Sequence, residues 1–100
     1  MTDETPAEAI RQFEMGATLA DFHRLLPRVD TVAYDPATRE FAHAEDRRSW
    51  TLRLSPQRER RIASVRLPVV DATFVFHGYT PAEVEAVVQR FLASFRRGGG

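Results

Sequence analysis

Arginine, hydroxyl and histidine side chains recur at alternating positions in the second half of the chain, where they could bind an anion. They are Thr51, Arg53, Ser64, Arg66, Thr73 and His77. Guanidinium groups bind phosphate and carboxylate through paired hydrogen bonds. Ile62 and Val75 fall in the same alternating set and give it a partly apolar centre. This set therefore has three interpretations: a solvated sheet face, a twofold dimer interface, or a small-anion site.

No other pattern indicates catalysis or metal binding. The histidines His23, His43 and His77 lack metal-ligand spacing, and cysteine is absent. No serine lies in a Gly-x-Ser-x-Gly turn, and Gly16 and Gly78 are too few for a phosphate-binding loop. We therefore predict no catalytic residues, no metal site and no cofactor, and the absence of motifs favours a protein that is not an enzyme.

Charge and composition narrow the classes of partner. Fourteen basic and fourteen acidic side chains give a formal net charge of zero, whereas each contact with a nucleic-acid phosphate needs a cation. The run Arg58-Glu59-Arg60-Arg61 is diluted by its glutamate, and the aromatic residues belong to the predicted core. The first twenty residues contain no apolar run. We expect a cytoplasmic protein that binds itself or another protein, without a membrane or nucleic-acid partner.

Helical spacing predicts two short helices near the N-terminus and a long one at the C-terminus. Thr5-Pro6-Ala7-Glu8 is typical of a capped helix start, and Gly16 of the end of that helix. A second helix is predicted to begin near Thr18 and to end at Pro27. Thr80-Pro81-Ala82-Glu83 starts the C-terminal helix, because apolar residues follow it at helical intervals through Phe95.

Alternation of apolar and polar residues predicts four or five strands between these helices. The residues expected to face the core are Trp50, Leu52, Leu54, Ala63, Val65, Leu67, Ala72, Phe74 and Phe76. Pro68 either ends a strand or places it at a sheet edge. The prediction is an α+β two-layer sandwich: an antiparallel meander with the helices packed on one face, formed by residues 1–97 as a single domain.

The chain ends in Gly98-Gly99-Gly100, which we expect to be a flexible tail. A C-terminal Gly-Gly is the reactive end of ubiquitin-like and sulfur-carrier proteins, and this tail resembles theirs over three residues. Their tails follow a strand, however, whereas this one follows a predicted helix.

The leading hypothesis for function is a non-catalytic accessory or interaction module, homodimeric through the uncovered sheet face. The motivation is a half-covered sheet without catalytic motifs. The first alternative is a small-anion-binding protein using Arg53, Arg66 and His77. Two further alternatives are a carrier with a functional C-terminus and an enzyme whose site the sequence does not reveal.

Overall fold

A computed structural model describes residues 7–98, which form an antiparallel sheet of six strands with two α-helices against one face. The elements are β1 (Ala7–Met15), α1 (Leu19–Leu25), β2 (Ala33–Asp35), β3 (Glu40–Glu45), β4 (Arg48–Leu54), β5 (Arg58–Ile62), β6 (Val65–Tyr79) and α2 (Pro81–Gly98). A short 3-10 turn, Leu26–Arg28, follows α1. The predicted α+β class, with a large antiparallel sheet and a long C-terminal helix, is confirmed.

Strand β6 determines the order of the sheet. The order is β1-β6-β4-β3-β2, and all neighbours are antiparallel. Residues 70–79 of β6 pair with β1 on one side, and residues 72–77 pair with β4 on the other. Residues 65–69 continue past both neighbours and pair with β5. We call this projecting hairpin, residues 58–69, the arm.

The prediction of a helix after Ala7 is wrong, because residues 7–15 form the edge strand β1. Ala, Glu, Gln and Met favour helices, but such a preference is weak and tertiary contacts override it. Here Phe13 and Met15 pack against the core cluster while Ile10 is exposed on the other side. This alternation of buried and exposed side chains is typical of a strand, and here the strand pairs with β6 at the edge of the sheet. Thr5 and Pro6, at the predicted helix start, lie outside the described residues.

The alternating residues before and after Pro68 belong to one continuous strand of 15 residues. A two-residue turn joins Ile62 to Val65, and hydrogen-bonded and non-hydrogen-bonded pairs alternate from there. Glu59 and Pro68 therefore form a non-hydrogen-bonded pair, with the proline nitrogen at the outer edge of the arm. This arrangement confirms the edge role for Pro68, because no ladder hydrogen bond is lost there.

Three of the residues predicted to face the core do not face it, because β6 continues through Pro68 into the arm. Ala63 lies in the turn of the arm, and Val65 and Leu67 are 52% and 41% exposed. This half of β6 extends beyond the part of the sheet that the helices cover. Its alternating apolar residues therefore face solvent in the single chain.

The core between sheet and helices is built largely from aromatic rings. The ring of Phe74 contacts Trp50 at 5.3 Å and Phe91 of α2 at 4.8 Å between centroids. Phe22 of α1 lies 6.3 Å from Phe91, and all four rings are fully buried. Both helices thus pack on the same face of the sheet, and within residues 7–98 no helix covers the other face. Of the predicted core residues, Trp50, Leu52, Leu54, Ala72, Phe74 and Phe76 are confirmed.

Reciprocal capping starts both helices at the predicted residues. The Asp21 amide donates to Thr18 Oγ1 at 3.2 Å, and the Thr18 amide donates to Asp21 Oδ2 at 2.9 Å. Thr80 and Glu83 make the same pair of bonds, at 3.2 and 2.8 Å. These bonds satisfy amides that the first helical turn leaves without partners.

A bulge at Gly78 changes which side of β6 faces the core. Ala9 pairs with Phe76 and Ala7 with Tyr79, so β6 carries one extra residue there. Gly78 has a φ of 82°, which glycine adopts without strain. Because of the extra residue, Tyr79 is buried on the same side as Phe76, although an uninterrupted strand would turn it outward.

Helix α2 ends the described part of the chain. Gly98 is its last residue, and Gly99 and Gly100 lie outside the described residues. Within residues 7–98, no helix has both the length and the apolar character needed to cross a membrane.

Gly78→Ala is expected to destabilise the fold by about 2 kcal/mol or more, since an L-residue is strained at positive φ. A Cβ there would also lie 2.5 Å from the Arg47 carbonyl oxygen. Gly16→Ala is the matched control, because its Cβ would meet only the Pro68 oxygen at 3.8 Å. Urea unfolding of both variants measures the difference. Equal losses in the two variants would contradict the role given to the bulge.

Candidate functional site

The open face is the side of the sheet opposite the helices. From β1 to β3, in strand order, it comprises Ile10, Gln12, Glu14, Asp71, Thr73, Val75, His77, Ser49, Thr51, Arg53, Glu40, Ala42 and Ala44. Val75 pairs with Ile10 on one side and with Thr51 on the other. The centre of this face is therefore apolar or uncharged, and charged residues surround it.

The arm continues the open face beyond the body of the protein. Ile62 pairs with Val65 and Arg60 with Leu67, on the side that leads into Asp71, Thr73 and Val75 along β6. Ile62, Val65 and Leu67 are between 41% and 55% exposed. An apolar stripe therefore runs along one side of the arm, and the charged residues Arg58, Asp71 and Glu14 separate it from the apolar centre of the open face.

The structure brings most, but not all, of the predicted site residues together. Those on the open face are Arg53, Thr73, Val75 and His77. Ile62 lies on the same side of the sheet but far along the arm, and Ser64 lies in its turn. Arg66 pairs with Arg61 on the opposite side of the arm. The predicted register placed Ser64 and Arg66 on the open face, and this is corrected because Ser64 lies in the turn and Arg66 alternates with Val65 and Leu67, so that it faces the other side of the arm.

The charged groups proposed for an anion site already have carboxylate partners. Arg53 Nη2 lies 3.3 Å from Glu40 Oε2, and Arg66 Nε lies 3.9 Å from Glu59 Oε1. His77 Nε2 lies 3.6 Å from Glu8 Oε2. An anion would have to displace these carboxylates and would reach Arg66 only from the other side of the arm. The described geometry does not assemble the three groups into one pocket.

Ion pairs anchor the base of the arm to the body. Arg58 donates two hydrogen bonds to Asp71, at 2.9 and 3.1 Å, and a third to Glu14 at 2.8 Å. Arg60 Nη2 donates to Glu14 Oε1 at 2.6 Å. The hydrogen bond and charge of Arg60, with those of Arg58, hold the pKa of Glu14 below its ordinary value of 4.5. This network leaves little uncompensated charge at the base of the arm.

A separate polar cleft lies at the other end of β6, beside the N-terminal half of α2. Its volume is about 360 Å³. The residues lining it are Asp30, Glu45, Arg48, Tyr79, Glu83, Ala86, Val87 and Arg90. Arg48 links two walls of the cleft, since it pairs with Glu83 at 2.9 Å and Glu45 at 3.4 Å. Its guanidinium carbon also lies 4.6 Å from the centre of the Tyr79 ring.

His43 lies at the edge of this cleft with each ring nitrogen beside an oxygen. Its Nδ1 is 2.7 Å from the Thr31 carbonyl oxygen, so Nδ1 carries the proton. Its Nε2 lies 2.9 Å from Glu45 Oε2 and 3.8 Å from Asp30 Oδ1. Burial lowers the pKa of His43, but the bonds to Glu45 and Thr31 and the charge of Asp30 outweigh burial and raise it.

Tyr79 places a buried hydroxyl in the cleft. The residue is 2% exposed, and among residues 7–98 its hydroxyl oxygen has no hydrogen-bond partner. Burial, followed by the nearby charge of Glu45, raises the pKa of Tyr79, so the hydroxyl remains a donor at neutral pH. A buried donor without an acceptor is unfavourable by about 1–3 kcal/mol.

Sequence reasoning missed this cleft because its residues come from separate elements. Asp30 follows the 3-10 turn, His43 and Glu45 come from β3, and Tyr79 reaches the cleft through the bulge. One available signal was the spacing of His43 and Glu45, since residues two apart on a strand share a face.

Comparison with protein-family models, with curated proteins and with solved structures finds no match for this chain.

The Glu14 carboxyl is expected to titrate below 4.5 in the folded protein. Because the folded pKa is depressed, its stabilisation of the arm is present above 4.5 and is lost as pH falls through the folded value. Arg60→Gln should raise this pKa, whereas Arg61→Gln, on the other side of the arm, should not. Carbon-detected NMR titration of the Glu14 side chain measures this pKa in wild type and in both variants. A wild-type midpoint at or above 4.5 would rule out the ion-pair anchor.

Proposed function

We propose that this protein is a non-catalytic interaction module that forms a homodimer through the open face and the arm. The observation that carries the proposal is the apolar stripe of Ile62, Val65 and Leu67, which faces the same side as Ile10 and Val75. Four of these residues are the large apolar side chains most exposed within residues 7–98. Exposed apolar residues that share one side of a sheet support a surface that another protein covers.

The arm has few interactions of its own that would hold it. A two-stranded hairpin is only marginally stable in water, and the outer part of this one lies beyond the helices. Arg61 and Arg66 are directly paired, and like charges in such positions repel. Ala63 adopts a φ of 55° in the turn, which is unfavourable for alanine by about 1 kcal/mol. Burial of the apolar stripe against a partner would offset the unfavourable free energies of this repulsion and of the turn.

A second copy of the chain fits this surface better than a strongly charged partner. The basic residues on the stripe side of the arm, Arg58 and Arg60, are already neutralised by Glu14 and Asp71. Arg53 and His77 on the open face also have carboxylate partners. A twofold axis would let each arm cover the apolar centre of the other open face, so that one surface serves both subunits.

The proposal includes a cytoplasmic location and excludes a membrane or nucleic-acid partner. It is supported by the absence of cysteine and by a formal net charge of zero. The basic side of the arm, with Arg61 and Arg66, is the feature that a nucleic-acid partner would use. Salt-dependent binding of duplex DNA therefore distinguishes a nucleic-acid partner from a second copy of the chain.

Ile62→Glu should convert the wild-type dimer into a monomer without loss of fold, because a buried unpaired carboxylate is strongly unfavourable in an interface. Sedimentation equilibrium over a range of protein and salt concentrations measures the association, and far-UV circular dichroism measures the fold. Val75→Arg should also dissociate the dimer without loss of fold, because Val75 lies at the centre of the open face.

Arg61→Glu is the matched control. It introduces the same side chain one residue away, on the opposite side of the arm, and replaces the Arg61–Arg66 repulsion with attraction. It should leave the dimer intact. A wild type that is monomeric at every concentration would refute the proposal. So would a monomer that binds duplex DNA with strongly salt-dependent affinity, which would assign the arm to a nucleic-acid partner.

A further inference from the structure

We propose that Asp30, His43 and Glu45 form a binding site for a divalent first-row transition-metal ion at the edge of the polar cleft. The inference is independent of the dimer, since these residues lie on the helix side of the sheet and at the other end of β6. One imidazole nitrogen and two carboxylates each offer a ligand atom, and these atoms lie within 4.8 Å of one another. An ion at roughly 2.0–2.2 Å from each would draw the more widely separated ligand atoms closer together.

Each of the three side chains is held by a second partner that leaves one ligand atom directed at the site. The Thr31 carbonyl oxygen binds His43 Nδ1, so Nε2 is the ligand atom. The Trp50 indole donates to Asp30 Oδ2 at 3.0 Å, which leaves Oδ1 on the His43 side. Arg48 lies 3.4 Å from Glu45 Oε1, and Oε2 faces His43. Outer partners of this kind orient the ligands of metal sites.

The unpartnered hydroxyl of Tyr79 is an independent sign that the cleft holds a ligand. Asp30 and Glu45 accept hydrogen bonds or ion pairs from other groups, whereas Tyr79 has no acceptor within the described residues. Three protein ligands leave an ion with open coordination positions, which water fills. Water or another oxygen ligand on the ion would give the buried hydroxyl an acceptor within the same cleft.

The local charge also favours a cation. Asp30, Glu45 and Glu83 contribute three carboxylates around the cleft, against the two guanidinium groups of Arg48 and Arg90. A neutral imidazole as one of three ligands suits Zn²⁺, Co²⁺ or Fe²⁺ better than Mg²⁺ or Ca²⁺, which prefer oxygen alone. We therefore expect the site to bind Zn²⁺, Co²⁺ or Fe²⁺ in preference to Mg²⁺ or Ca²⁺.

The test is calorimetric titration of the untagged full chain with Zn²⁺, with Mg²⁺ titrated in parallel. Wild type should bind one Zn²⁺ per chain and bind Mg²⁺ much more weakly. His43→Gln should weaken Zn²⁺ binding by at least about tenfold, as for the loss of ligands or their partners in other metal sites. Glu45→Gln should also weaken Zn²⁺ binding. Because Glu45 is more exposed than His43, this variant provides the test if the His43 variant does not fold.

His77→Gln is the control, because His77 also lies beside a glutamate, Glu8, but on the open face. It should leave Zn²⁺ binding unchanged. Added Zn²⁺ should also raise the melting temperature of wild type and of His77→Gln, and not that of His43→Gln or Glu45→Gln. The proposal is overturned if wild type binds Zn²⁺ no better than the His43 and Glu45 variants, or if His77→Gln reduces binding as much as they do.

Discussion

Strand β6 has to serve two environments along 15 residues, and most other features of the molecule follow from this requirement. Its C-terminal part carries Phe74 and Phe76 into the core between β1 and β4, while its N-terminal part leaves the core and forms half of the arm. Two residues make this possible. Pro68 sits where the strand needs no hydrogen bond, and Gly78 allows the bulge that turns Tyr79 inward. The two regions with potential function lie at opposite ends of this strand.

The sequence predicted the elements whose signals are local. Helices α1 and α2 begin directly after the capping residues Thr18 and Thr80, each of which is followed three positions later by a carboxylate, a pattern that needs no tertiary contact. Strand β1 was missed because its residues favour a helix in isolation, and only β6 provides the ladder that makes them a strand. The same limit applies to Val65 and Leu67, whose alternation indicates a strand but not whether anything covers it.

The polar cleft could not be derived from spacing along the chain. Its acidic groups come from a loop, from β3 and from α2, its imidazole comes from β3, and its tyrosine depends on one extra residue in β6. His43 and Glu45 share a strand face, which is a weak signal without knowledge that Asp30 lies beside them. By contrast, the open face was predicted correctly for Arg53, Thr73, Val75 and His77, because strict alternation along paired strands determines it. The arm was not predicted, because the alternation of apolar and polar residues does not indicate where a strand leaves its sheet.

In the proposed dimer, the apolar side of the arm packs against the open face of a second copy. An isotope-filtered NMR experiment on a mixture of ¹³C-labelled and unlabelled chains tests this most directly, because it detects only contacts between different chains. We predict intermolecular contacts from the Ile62 and Leu67 methyl groups to Ile10 and Val75. An absence of such contacts at concentrations where wild type is a dimer, or contacts confined to other surfaces, would contradict the account.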